Sequence, residues 1–83
     1  MEKDNLSKNK KLVAISALIG LSSVEQGNRI TLAYINRGLN SLGLERISKD
    51  ELLDALKEAE NSEELSKIVH SVASGDKKVA DIV

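Results

Sequence analysis

Leu12-Val-Ala-Ile-Ser-Ala-Leu-Ile-Gly-Leu21 is the stretch that decides the fold. At about 100° per residue, Leu12, Ile15 and Ile19 fall on one side of a helix and Val13, Ala17 and Leu21 on another, while Ala14 and Leu18 fill the gap between them. Only Ser16 and Gly20 interrupt the ring. A helix that is apolar all round has to be buried all round, so this segment predicts a central rod with the rest of the chain laid against it. It is also about half the ~20 residues needed to cross a bilayer, so it is not a membrane span.

Outward from that rod, the chain is divided by helix caps. Ile30 precedes Thr31 and Ile47 precedes Ser48, and in each case an apolar residue ahead of a hydroxyl cap can close onto one in the first turn, Ile35 and Leu52 respectively. Glu51 completes a capping box with Ser48. Gly43 and Gly75 suit the left-handed position that ends a helix. No window alternates apolar and polar residues as a half-buried strand does. The expectation is an all-α fold, a small bundle of four to five short helices at about 7–23, 31–42, 48–60, 62–74 and 77–82, with the first helix central and the last capped by Asp76. The 83 residues form one domain, with 1–6 expected as a disordered tail.

The second helix puts Leu32, Ile35, Leu39 and Leu42 in one stripe of about 80°. The third is the least apolar, with Leu52, Leu53, Leu56 and Ala59 on one side and Asp50, Asp54, Lys57 and Glu58 away from its centre. So short a chain is expected to cover an all-apolar rod only in part. Part of the first helix is therefore expected against a second copy, with Leu12, Ser16, Ile19 and Gly20 at the interface and the Ser16–Gly20 notch admitting a close approach. A tight monomeric bundle is the alternative.

Composition removes most chemistry. There is no Cys, Trp, Phe or Pro, and one Tyr (Tyr34) and one His (His70). Without cysteine there is neither a disulfide nor a thiolate metal site, so a reducing, cytoplasmic setting is expected. His70, the one conventional base, lies about 140° from Leu65, outside the apolar stripe of its helix, and is expected to be a solvated surface residue. Neither the clustering of a zinc site nor the loop of a calcium site is present. No catalytic residue, metal ligand, cofactor or small-molecule substrate is expected.

Charge is uneven along the chain. Residues 1–44 carry six basic side chains (Lys3, Lys8, Lys10, Lys11, Arg29, Arg37) against three acidic ones, and residues 45–64 carry eight acidic against three basic, although the net charge is −1. Such polarity is expected where two regions face different surroundings. Tyr34 falls about 120° from the centre of the core stripe of its helix, beside Arg37 and Ser41, with Gly38 leaving a gap. Tyr and Arg are common interface anchors, so Tyr34, Arg37 and Ser41 are the candidate contacts for a protein partner. The acidic third helix is a second candidate, for a basic partner.

Residues 12–71 resemble the helical N-terminal dimerisation domain of the ribosomal stalk P-proteins in the Ser16-Ala-Leu-Ile19 run and the Ile30…Ile35…Leu39…Gly43-Leu44 spacing. Any amphipathic helix with a glycine cap shares those positions, and the third helix is shorter than the family's, so no membership follows. The sequence points to a non-enzymatic helical module that regulates another macromolecule by binding it, as a homodimer. The alternative is a DNA-binding transcriptional regulator in which Lys8, Lys10, Lys11, Arg29 and Arg37 form a basic surface around the second helix. The third helix is too acidic to enter a groove lined by phosphates.

Overall fold

A computed structural model describes the backbone of residues 2–27 and 29–83 and the side chains of residues 10–27 and 29–83. Five helices follow one another: α1 (Glu2–Glu25), α2 (Leu32–Ser41), α3 (Lys49–Asn61), α4 (Glu63–Ala73) and α5 (Val79–Ile82). Among the described residues there is no strand, and no helix is long and apolar enough to cross a membrane. The molecule measures 37 × 23 × 23 Å. Its long axis matches the ~36 Å length of a 24-residue helix, so α1 sets the dimension along which the others pack. Of the tail expected at 1–6, the backbone of residues 2–6 is part of α1, and residue 1 lies outside the described residues.

The caps predicted for the second and third helices hold. Thr31 Oγ1 accepts from the Tyr34 amide at 3.3 Å. Ser48 Oγ accepts from the Glu51 amide while Glu51 Oε1 accepts from the Ser48 amide, closing both halves of the capping box. Ser62 caps α4 by accepting from the Leu65 amide. Gly43 and Gly75 sit at φ +74° and +85°, the left-handed conformation that costs glycine least. Three boundaries differ from expectation, the first being the start of α1, which lies at Glu2 and not near residue 7. α1 runs on to Glu25, and the next turn contains Gly27 at φ +60°. α5 begins at Val79, and the carboxylate that reaches back to its start is Asp81, accepting from the Lys78 amide at 3.3 Å, in place of Asp76.

α1 is the central element and touches each of the other four helices, α4 most extensively. Every residue from Ala14 to Gly20 is buried. The cover comes from Ile35 and Leu39 on α2, Ile47 in the α2–α3 connection, Leu52, Ala55 and Leu56 on α3, Val69 and Val72 on α4, and Val79 and Val83 at the C-terminal end. Ile35 and Leu39 are fully enclosed, and burial of each side chain contributes roughly 1.5–3 kcal/mol. A single chain closes around its rod because half the rod is small. Ala14, Ser16, Ala17 and Gly20 present little side chain to cover, so neighbouring backbones come in close and few apolar residues suffice.

Candidate functional site

The α1–α2 pair builds the surface on which the sequence placed its partner contacts. α2 returns antiparallel to α1, with Tyr34 beside Glu25 and Gly38 against Leu18. The glycine permits that approach, since a Cβ at position 38 would meet the Leu18 Cδ2 at 2.4 Å. The gap expected beside Tyr34 is thus filled at its base by Leu18. Above it a groove of about 430 Å³ remains, with Leu18 and Leu21 as its floor and Glu25, Tyr34, Arg37 and Ser41 around it. The three residues singled out in the sequence therefore line one depression.

Tyr34 is half-buried, and its hydroxyl donates to Glu25 Oε1. Burial, followed by the hydrogen bond to Glu25 and the negative charge of that carboxylate, raises the phenol's pKa to about 12, while the Arg37 guanidinium pulls the other way. At neutral pH the groove thus carries a neutral phenol whose proton is already engaged. The exposed Arg37 guanidinium lies beside it.

Arg37 also lines a neighbouring groove of about 840 Å³ with Asn40, Leu44 and Arg46. Asn36 fixes the relation between those two segments. Its Nδ2 donates to the Ile47 carbonyl at 3.0 Å and its Oδ1 accepts from the Ile47 amide at 2.7 Å. One side chain thereby satisfies both polar groups of a buried loop residue. The sequence held a signal for this residue, since asparagine within a helix is disfavoured and commonly answers to a nearby backbone.

The other expected sites are distributed differently. Ser16 and Ile19 are buried inside the monomer and Leu12 is half-buried against the core. Gly20 is packed on α4, where a Cβ would meet the Val69 carbonyl oxygen at 2.5 Å and the Val72 Cβ at 3.0 Å. The small-residue notch does receive a helix, but it is α4 of the same chain. Of the expected dimer patch, Ser16, Ile19 and Gly20 are thus packed within the chain's own core, while Leu12 is half-buried at its edge. Among the basic residues, Lys10, Arg29 and Arg37 are exposed and Lys11 is half-buried, while the side chain of Lys8 lies outside the described residues. Lys11 lies near the middle of α1 and Arg29 beyond its C-terminal end, about 20 Å apart along its axis, so these two cations do not share one patch.

His70 is exposed and lines a depression with Glu63, Lys67 and Asp76. Among the described residues, no three His, Asp or Glu side chains come together as a metal-binding set. No protein-family model, curated protein or solved structure matches the chain.

Proposed function

We propose that the chain is a non-enzymatic helical interaction module that regulates another protein by docking on it through the Tyr34–Arg37–Ser41 groove. The carrying observation is that these three side chains share one depression with an apolar floor of Leu18 and Leu21. An amphipathic ring beside a guanidinium over a small apolar floor is a common composition for an interface anchor. The absence of cysteine suits a cytoplasmic setting. Self-association has less to support it, because residues 14–20 of α1 are already buried within their own chain.

The test is affinity capture from the native cell with the wild-type protein and with the double variant Tyr34→Ala, Arg37→Glu. One protein retained by the wild type and lost from the variant, with helicity unchanged by circular dichroism, supports the assignment. Identical retention by both overturns it.

DNA is the second reading. Arg37 and Asn40 lie one turn apart on exposed positions of α2, with Arg46 in the adjoining groove, and these are residue types that read base edges. A mobility-shift titration at two salt concentrations decides it. Salt-sensitive retention of duplex DNA that Arg37→Ala weakens favours DNA, and no retention removes it.

A further inference from the structure

On a different part of the surface, an apolar cleft of about 240 Å³ opens between α3 and α4, bounded by Ile19, Ile30, Leu56, Ala59 and Val69. It adjoins a second depression of about 610 Å³ along α4, and the two share Glu60 and Ser66. Past Glu60 the walls change character, with Glu63 and Asp76 supplying negative charge against the single cation Lys67. None of these residues lines the Tyr34 groove.

The surroundings carry the same two properties further. Leu53 is 48% exposed and lies three residues before Leu56 and seven before Glu60, so the apolar stripe continues out of the cleft along one face of α3. All eight acidic and three basic side chains of residues 45–64 are exposed. An apolar slot that runs into a carboxylate-lined groove, within a field of negative charge, has a definite complement. An aliphatic side chain gains by leaving water for the slot, and a cation beside it is drawn to the rim. An acidic ligand would be repelled.

We propose that this surface binds a basic peptide segment bearing one aliphatic anchor, with the anchor between Leu56 and Val69 and the flanking Lys or Arg side chains at Glu60 and Glu63. The site is independent of the Tyr34 groove, so either can fail without the other.

The probe is a short synthetic peptide with one central leucine flanked by lysines, titrated into the full chain and followed by fluorescence anisotropy and amide chemical shifts. Binding should be saturable, with shifts confined to Leu56, Ala59, Glu60, Ser66, Val69 and their neighbours. Replacing the peptide leucine by serine should weaken binding about tenfold, and the protein variant Glu60→Gln, Glu63→Gln should do so again by a similar factor. Equal affinity for the serine peptide, or for the double variant, overturns the proposal. So do shifts centred on Tyr34 and Arg37. Concentration-dependent shifts of the cleft residues in the protein alone would instead assign the cleft to a second copy, and also overturn it.

Discussion

A Cβ added to Gly20 would lie 2.5 Å from the carbonyl oxygen of Val69, so α1 and α4 meet backbone to backbone. The atoms it would strike include the Val69 carbonyl and the Ala73 amide nitrogen, at 2.5 and 3.3 Å, and neither can rotate away as a side-chain end could. Alanine at position 20 would gain about 1 kcal/mol in helix propensity, but forcing two helices apart in a packed core costs typically 1–3 kcal/mol or more. With backbone as the obstacle, the upper part of that range applies. Gly20→Ala should therefore lower stability by about 1–2 kcal/mol net, read as a lower urea midpoint with unchanged slope. A variant as stable as the wild type would show that the crossing is looser than described.

Ser16 makes the opposite prediction. Its side chain is wholly buried and its hydroxyl has no hydrogen-bond partner. Leaving a buried polar group unsatisfied costs about 1–3 kcal/mol, and alanine is also the better helix former. Ser16→Ala should raise stability by about 1 kcal/mol or more. Ser22 is equally buried, but its Oγ donates to the Arg29 carbonyl at 2.8 Å and ties down the connection between α1 and α2. Ser22→Ala should therefore lose about 1 kcal/mol. Thermal melts of the two variants should shift in opposite directions; a fall for both would mean that Ser16 has a partner after all.

The two serines mark where the sequence stops being legible. Caps and faces could be read because they are local: Thr31 and Ser48 announce their helices to the residues next to them, and Leu32, Ile35, Leu39 and Leu42 recur at helical spacing. The grouping of Tyr34, Arg37 and Ser41 could be read for the same reason, since they share a face of one helix. What covers α1 is not local. Ile47 and Val83 reach the rod from a loop and from the chain's end, and nothing in the run Leu12–Leu21 says whether α4 or a second copy fills the notch at Ser16 and Gly20. The bond from Tyr34 to Glu25 and the one from Asn36 to Ile47 likewise join residues brought together only by the packing of α2.

Asn36 should prove more important than its position in the helix suggests. Its amide makes both hydrogen bonds to Ile47, which is 5% exposed. Alanine at position 36 removes two bonds of about 1 kcal/mol each and leaves polar groups of a buried residue without partners. The expected loss is about 2–3 kcal/mol by chemical denaturation. Asn36→Asp keeps the acceptor but sets a carboxylate against the Ile47 carbonyl, so it should rescue little. Faster hydrogen exchange at the Ile47 amide in both variants would locate the effect in the α2–α3 connection. Unchanged exchange there would assign Asn36 no part in holding the loop.

Tyr34 gives the groove a direct spectroscopic test, because it is the only tyrosine in the chain and phenolate absorbance reports it alone. The folded protein should titrate near 12, against 10.0 for an unperturbed tyrosine. Glu25→Gln keeps a hydrogen-bond acceptor but removes the carboxylate charge that disfavours the phenolate, so the midpoint should fall toward 10.0. Arg37→Gln removes a cation that favours the phenolate, so the midpoint should rise further. The pKa is raised on folding, so between about pH 10 and 12 the unfolded chain binds fewer protons than the folded one and stability falls as pH rises through that window. Below pH 10 the contribution is fully present. In Glu25→Gln the loss should be confined to a narrower window above pH 10. A wild-type midpoint at the unperturbed value would mean that the phenol is neither buried nor bonded to Glu25, and its hydroxyl would then be a free donor in the groove.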